Sequence, residues 1–258
     1  IKTKEYKEKI MCGIIAAATE KSVGKLLVQG LYKMEYRGYD SAGVALHQID
    51  DIAHLRSLGK VKKLESKMVK EKPKGKIGIA HTRWATHGKP SEKNAHPHVS
   101  NNRVFIVHNG IIENYVALKE QLIKKGYQFN SQTDSELIAH QLDFFLNQGS
   151  EMLDAMSLLK EKLEGAYAVA AIDLKNESHF YLMRNKSPLL LGQSDSGMFA
   201  ASDPLALADL TNEFIFLEDG DVAEVSAKEY KILDKNQKRA IRKITTIDVS
   251  SEAMGKNG

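Results

Sequence analysis

The chain has 258 residues, with 37 Lys and Arg against 33 Asp and Glu, and 42% of its residues are hydrophobic. This length can bury a sizeable core as one large domain or two small ones. The net charge of +4 is mild and the lysine-rich clusters are interpreted as solvated surface, so we expect no nucleic-acid partner. No stretch approaches the roughly 20 apolar residues of a membrane-spanning helix, and we expect no membrane association.

Hydrophobic periodicity alternates between strand and helix patterns along the chain. In chain order the predicted elements are a strand at 13–18, a helix from a cap at Ser22 to Gly38, strands at 42–48 and 52–58, a helix at 60–71, strands at 76–80 and 103–108, helices at 113–125, 135–146 and 151–163, and strands at 166–173, 179–183, 198–200, 213–216, 222–225 and 230–233. Strands therefore bracket a helical middle. This order favours antiparallel sheets with helices packed outside them over the regular alternation of a parallel fold.

The polar segment 86–100 between two predicted core strands is either disordered or a functional loop. In and around it the sequence bunches five histidines: His81, His87, His96, His98 and His108. Neither an H-E-x-x-H pattern nor a close carboxylate partner accompanies them. We therefore predict no metal site and expect these side chains to make hydrogen bonds within loops.

Cys12 is the single cysteine, which excludes an internal disulfide and a zinc site built on several thiolates. It indicates a reducing, cytoplasmic setting. From position alone this thiol would be a small buried side chain. If synthesis starts at Met11 and that methionine is removed, Cys12 gains a free α-amino group with an ordinary pKa of about 7.7–8.0. One residue would then supply both a nucleophile and a general base.

Several short motifs, taken in order, are similar to those of one enzyme family. They are Cys-Gly-Ile-Ile at 12–15, Glu-Tyr-Arg-Gly-Tyr-Asp-Ser-Ala-Gly at 35–43, His-Thr-Arg-Trp-Ala-Thr-His-Gly at 81–88, Asn-Ala-His-Pro-His at 94–98, His-Asn-Gly-Ile-Ile-Glu-Asn at 108–114, Thr-Asp-Ser-Glu at 133–136 and Ala-Ser-Asp at 201–203. The chain resembles the amino-terminal glutaminase domain of class II glutamine amidotransferases, which are N-terminal nucleophile hydrolases. The resemblance implies an α+β fold, a four-layer αββα sandwich of two antiparallel sheets between helical layers.

The resemblance also implies roles for individual residues. Cys12 resembles the nucleophile that attacks the side-chain carboxamide of L-glutamine. The side-chain amide of Asn109 and the backbone N–H of Gly110 resemble the donors that stabilise the tetrahedral oxyanion. Arg83 resembles the clamp for the α-carboxylate of glutamine, and Asp134 resembles the partner of its α-ammonium group. Neither a cofactor nor a metal is implied.

Further residues resemble loop and support positions of the family. Thr86 and His87 resemble part of a loop that closes over glutamine. Trp84 resembles a lid or gate on the route by which ammonia leaves. Arg37 and His96 resemble supporting residues around the nucleophile and its loop.

Two motif forms, Tyr-Arg-Gly-Tyr-Asp-Ser and Arg-Trp-Ala-Thr-His, are most similar to the amino-sugar branch of the family. This implies hydrolysis of glutamine through a γ-glutamyl thioester on Cys12. The ammonia would pass to a covalently following sugar isomerase domain, outside this chain, that converts fructose 6-phosphate to glucosamine 6-phosphate. The full-length protein is expected to be a homodimer or a higher oligomer.

Two alternatives stay open at this point. The first is the glutaminase half of an amidophosphoribosyltransferase-type enzyme. The second is a non-catalytic amino-acid-binding module, which would keep Arg83 and Asp134 but would not use Cys12.

Three segments are expected along the chain. Residues 1–11 are a leading segment, either a propeptide or an artefact of how the chain was delimited. Residues 12–235 form the amidotransferase domain, and the polar residues 236–258 form a linker. While residues 1–11 stay attached, the nitrogen of Cys12 is an amide without useful basicity, and we expect the chain to be inactive or nearly so.

Overall fold

The computed structural model describes residues 12–84 and 88–248. Their strands are β1 Gly13–Thr19, β2 Ser41–His47, β3 Ile52–Leu58, β4 Ile77–Arg83, β5 His98–Ser100, β6 Val104–Ile112, β7 Gly165–Asp173, β8 Phe180–Asn185, β9 Leu190–Ser194, β10 Gly197–Ala201, β11 Glu213–Phe216, β12 Val222–Val225, β13 Tyr230–Leu233, β14 Arg239–Ala240 and β15 Ile244–Thr246. The α-helices are α1 Gly24–Met34, α2 Val61–Glu71, α3 Tyr115–Lys124, α4 Glu136–Asn147 and α5 Met152–Lys160, and short 3-10 turns span Glu35–Arg37, Glu92–Asn94 and Pro204–Leu207.

The strands form two antiparallel sheets. The first has eight strands in the order β15-β11-β9-β10-β1-β4-β2-β3, and the second has seven in the order β14-β13-β12-β8-β7-β6-β5. The chain leaves the first sheet after β4, builds β5 to β8 of the second, and returns to the first at β9. None of the helices in residues 12–84 and 88–248 has the length and apolar character needed to span a bilayer.

Three apolar clusters define the layers, as β1 illustrates. Because successive side chains of a strand point to opposite faces, Ile14, Ala16 and Ala18 lie in the cluster between the two sheets. Ile15 and Ala17 lie instead in the cluster that packs against α1 and α2. The third cluster joins the outer face of the second sheet to α3, α4 and α5. The layer order is therefore helices, sheet, sheet, helices.

The sixth strand is longer than the sequence pattern predicts. The prediction ends it at residue 108, but β6 continues to Ile112. Gly110 has a φ of +128°, and a Cβ at this position would collide with the carbonyl oxygen of Ala166 on β7. Only glycine accepts both constraints. Asn109 and Gly110 therefore lie inside the sheet rather than in a loop beyond it.

The polar segment 86–100 is partly regular where it is described. It contains the 3-10 turn Glu92–Asn94 and the strand β5, which pairs with β6 at the edge of the second sheet. A strand of three residues is too short to produce a recognisable alternation. Asn94 and the carbonyl of Ala95 also take part in hydrogen bonds with neighbouring segments, to Gln132 and Arg56 respectively.

An ion pair fastens the last described part of the chain. The Arg242 guanidinium binds the Asp221 carboxylate at two points, Nε to Oδ2 at 2.9 Å and Nη2 to Oδ1 at 2.7 Å. The Asp221 side chain is fully buried. Arg242 lies between β14 and β15, which occur within the segment interpreted from the sequence as the start of a linker. Residues 239–246 thus contribute a strand to each sheet.

Replacing Arg242 by Ala should lower the free energy of unfolding by about 3 kcal/mol, because it leaves the Asp221 carboxylate buried without its counter-charge. The value is at the low end for a buried pair since the Arg242 side chain is 17% exposed. Urea denaturation of the domain measures it. The matched control is Arg239→Ala, an exposed arginine on β14, which should change stability by less than about 0.5 kcal/mol. Equal losses in the two variants would contradict the role of the ion pair.

Candidate active site

Cys12 lies directly before β1 and contacts the backbone at the end of β4. The N–H of Trp84 donates to Sγ of Cys12 at 3.3 Å, and the thiol donates to the Trp84 carbonyl at 3.6 Å. Burial raises the pKa of the Cys12 thiol, and this effect exceeds the opposing one of the Trp84 N–H. The thiol is therefore protonated at neutral pH and needs a base before it can act as a nucleophile.

The backbone at Trp84 is held by close packing against Gly38. A Cβ at Gly38 would lie 2.9 Å from both the carbonyl carbon of Arg83 and the nitrogen of Trp84. The Thr82 hydroxyl donates to the Gly38 carbonyl, and the Tyr39 ring meets the Trp84 ring edge-on at 5.6 Å between centroids. The sequence prediction assigned Gly38 only to the end of a helix. A glycine is required at position 38 because the backbone at Arg83 and Trp84 leaves no room for a Cβ.

Asn109 connects the second sheet to Cys12. Its side-chain Nδ2 donates to the carbonyl oxygen of Cys12 at 2.9 Å. The neighbouring Gly110, also on β6, lines the same small cavity as Cys12. The two predicted oxyanion donors therefore lie beside the residue that carries the thiol.

Arg83 and Asp134 approach the cavity from different elements. Arg83 ends β4, is 4% exposed, and its Nη2 donates to the Gly88 carbonyl at 3.4 Å. Asp134 precedes α4, and its Oδ2 accepts the backbone N–H of Ile112 at 2.8 Å. The side chains or backbone that line the cavity belong to Cys12, Arg83, Trp84, His96, His108, Gly110, Thr133, Asp134 and Ser135.

Buried neutral histidines surround the site. Burial lowers the pKa of His81 to about 3 and that of His98 to about 3, and it lowers the pKa of His96 well below the ordinary value. The His96 ring stacks on His81 at 4.1 Å between centroids, and its Nδ1 accepts the backbone N–H of His108 at 3.2 Å. In the part of the chain that the structure describes, no group of three or more His, Cys, Asp or Glu residues is arranged to hold a metal ion.

The remaining predicted residues are only partly described. The backbone of Arg37 closes the 3-10 turn Glu35–Arg37, but its side chain lies outside the described part of the chain, as do Thr86 and His87. Their predicted roles stay predictions. The residues that the structure brings together around one cavity or its walls are Cys12, Arg83, Trp84, His96, Asn109, Gly110 and Asp134.

Residues that the sequence prediction did not single out also line the site. His108 Nδ1 and Ser135 Oγ lie 2.9 Å apart, and the Ser135 hydroxyl lies 3.5 Å from Oδ1 of Asp134. His108 and Ser135 directly adjoin predicted site residues in the sequence. That adjacency was the available signal, but it could not show that the two side chains meet.

Solved amidotransferases share this fold. The glutamine phosphoribosylpyrophosphate amidotransferase of Bacillus subtilis, complexed with ADP and GMP, aligns with a TM-score of 0.75 and 23% identity, over 88% of this chain and 50% of that one. A second structure, an allosteric regulatory enzyme of purine biosynthesis, aligns with a TM-score of 0.69 and 24% identity, over 91% of this chain and 49% of that one. The fold is therefore that of the N-terminal nucleophile amidotransferases, and the predicted αββα sandwich is confirmed.

Sequence comparison gives the family. The family model described as "Glutamine amidotransferase domain" matches residues 81–209. The glutamine–fructose-6-phosphate aminotransferase (isomerizing) of Vibrio parahaemolyticus is 45% identical over 244 residues, 94% of this chain and 40% of that protein. The protein of the same name from Haemophilus influenzae is 45% identical over 248 residues, 95% of this chain and 40% of that protein.

The chain belongs to the glutamine amidotransferase domain family, which confirms the resemblance drawn from the motifs and the assignment to an enzyme class. It spans about 40% of the length of the curated relatives it matches.

Proposed function

We propose that this domain hydrolyses L-glutamine to L-glutamate and ammonia, with Cys12 as the nucleophile. The observation that carries the proposal is that one cavity is lined by a cysteine, an arginine and an aspartate: Cys12, Arg83 and Asp134. Glutamine carries an electrophilic carboxamide, an α-carboxylate and an α-ammonium group. Each of these three groups finds its chemical complement among the three residues.

The first step forms a bond between Sγ of Cys12 and the carboxamide carbon of glutamine. The buried thiol must lose its proton, and in a chain that begins at Cys12 the α-amine of that residue accepts it. The same amine then passes the proton to the departing nitrogen. The carbon–nitrogen bond breaks, ammonia leaves, and a γ-glutamyl thioester remains on Cys12. Attack by water on this thioester releases glutamate and restores the thiol.

The negative charge on the carboxamide oxygen needs fixed donors during this step. The amide nitrogen of Asn109 carries two hydrogens, and one of them is used on the Cys12 carbonyl. The other hydrogen, together with the backbone N–H of Gly110, is the proposed pair of donors to the oxyanion. Removal of one such donor typically costs about 10²–10³ in rate.

Incubation of a chain beginning at Cys12 with L-glutamine tests the proposal. We expect glutamate and ammonia to appear in equal amounts, since each turnover releases one of each. L-asparagine is one methylene shorter, so its carboxamide would not reach the thiol while its α-groups occupy the same positions, and it should be a much poorer substrate. Glutamine binding by calorimetry without any ammonia release would overturn the proposal in favour of the amino-acid-binding module.

Replacing Arg83 by Lys should raise KM for glutamine about 5- to 150-fold, because Lys keeps the charge but loses the planar fork that binds a carboxylate at two points. This range corresponds to about 1–3 kcal/mol for a buried charged hydrogen bond. Steady-state measurement of glutamate release gives KM and kcat separately. Arg239→Lys, on the exposed β14, is the control and should leave KM unchanged. An unaltered KM in the Arg83 variant would mean that another group binds the carboxylate.

We further propose that this domain supplies ammonia, within a longer cytoplasmic protein that is a homodimer or higher oligomer, to a following sugar isomerase domain. That domain would convert fructose 6-phosphate to glucosamine 6-phosphate. The activity for which the relatives are named and the 40% of their length that the chain spans support this proposal. Formation of glucosamine 6-phosphate from glutamine and fructose 6-phosphate by the full-length gene product tests it, and a product from phosphoribosylpyrophosphate instead would favour the purine-type alternative.

A further inference from the structure

His81 lies between the two sheets, next to Asn109. It is on β4, opposite Ile14 of β1 and Gly43 of β2, and is 1% exposed. Its Nε2 crosses to the second sheet, where it lies 3.0 Å from Oδ1 of Asn109 and 3.1 Å from the carbonyl oxygen of His108. Both distances are those of hydrogen bonds.

The surrounding hydrogen bonds determine where the protons are. A backbone carbonyl can only accept, so the side-chain group of Asn109 that faces the Cys12 carbonyl at 2.9 Å must be its nitrogen. The side-chain oxygen of Asn109 therefore faces His81. Because that oxygen and the His108 carbonyl are both acceptors, Nε2 of His81 carries the proton and donates to them. The opposite orientation of the amide would place two acceptors against each other at the Cys12 carbonyl and two donors against each other at Nε2 of His81.

The His81 ring is fixed in this state. Burial keeps the imidazole neutral, so it carries a single proton. Its other nitrogen, Nδ1, is buried and has no hydrogen-bond partner among the described residues, which gives the proton no competing position. The stacked ring of His96 restricts rotation of the imidazole.

We propose that His81 is a positioning residue for the oxyanion donor: it fixes the orientation of the Asn109 amide so that one N–H is held toward the reacting carbonyl. The inference rests on the proposed glutaminase function. Without a donor at residue 81, the oxygen of the Asn109 amide is no longer held. The amide can then swing about its contact with the Cys12 carbonyl, and the donor is no longer in place before the charge develops. Since the group acts on the oxyanion and not on ground-state glutamine, the loss should fall on kcat rather than KM.

A His81→Leu variant of the chain beginning at Cys12 should lose about 10²-fold in kcat with KM nearly unchanged, close to the loss of an oxyanion donor itself. His81→Gln restores an N–H donor at similar reach and should recover most of the rate. The control is His54→Leu, which likewise removes a neutral imidazole. His54 contacts the carbonyl of Pro97 at 2.9 Å and not Asn109. It should leave kcat close to the parent value.

A double variant separates positioning from a merely structural role. On an Asn109→Ala background there is no amide to orient, so adding His81→Leu should cost little further rate. Multiplication of the two losses in the double variant, or an unchanged kcat in His81→Leu alone, would overturn the proposal. Thermal unfolding shows whether His81→Leu folds. If it does not, His81→Gln is compared with the parent instead, and a loss of kcat as large as that of Asn109→Ala would contradict the proposal. Failure of the glutaminase function itself would appear in the parent, which would then release no glutamate.

Discussion

A Cys12→Ala variant should release no glutamate above background, because no other residue can form the γ-glutamyl thioester. Removal of a covalent nucleophile costs about 10⁶ in rate in a well-studied case. Cys12 is the sole cysteine of the chain, so a glutamine-analogue electrophile should add once per active molecule of the parent and not at all to the variant. Mass spectrometry of the labelled peptides gives the position. Adduct formation at any residue other than Cys12 would refute the assignment.

The matched control for this experiment is Cys12→Ser. A serine hydroxyl can make the same two contacts with the backbone of Trp84, so this variant should fold like the parent. It should nevertheless be strongly impaired, since the hydroxyl is a much weaker nucleophile than a thiolate. Equal thermal unfolding temperatures for the parent and both variants would assign the loss to chemistry rather than to folding.

The second large effect should come from the residues before Cys12. A chain that begins at Cys12 carries a free α-amine, whereas a chain that retains residues 1–11 carries an amide nitrogen there. General-base catalysis is commonly worth about 10²–10⁴ in rate, so the longer form should be slower by at least this factor. The buried thiol makes the base indispensable, because its raised pKa leaves little thiolate at neutral pH.

The proposed base also predicts how the rate changes with pH. The amine acts as a base only when it is neutral, so the rate of the form beginning at Cys12 should rise with pH through the amine pKa, ordinarily about 7.7–8.0. Glutamate release from both forms, with mass spectrometry to confirm each amino terminus, measures the difference. Equal rates with residues 1–11 intact would contradict the role of the amine.

The layered fold could be predicted from hydrophobic patterns within single segments of the sequence. The apolar run at residues 13–18 and the helical spacing in residues 135–146 both match observed elements, β1 and α4. The candidate site could not be predicted from such local patterns, because its residues are far apart in the sequence. Cys12 and Asn109, for example, are separated by 97 positions. Only the resemblance to the family motifs predicted that these residues belong to one site.

Features that depend on contact between distant segments were not predictable from local patterns. The continuation of β6 past Asn109 requires its pairing with β7, and the glycine at position 38 is required by the backbone at Arg83. The positioning role proposed for His81 depends on its contact with Asn109, an acceptor in the other sheet. In each case the local sequence does not reveal the residue's structural role, which depends on a contact with a distant segment.

The hydrogen bonds around β1 have a consequence for the order in which the molecule is made. Cys12 is translated long before the residues that hold it and β1 in place. Asn109 comes 97 positions later, and Ser202, whose hydroxyl accepts the N–H of Ile14 at 3.0 Å, follows Ile14 by 188 positions. A nascent chain on the ribosome therefore carries its thiol long before the proposed oxyanion donor Asn109 and both strands that flank β1 are made. The surroundings of Cys12 are therefore complete only after almost the whole domain has emerged.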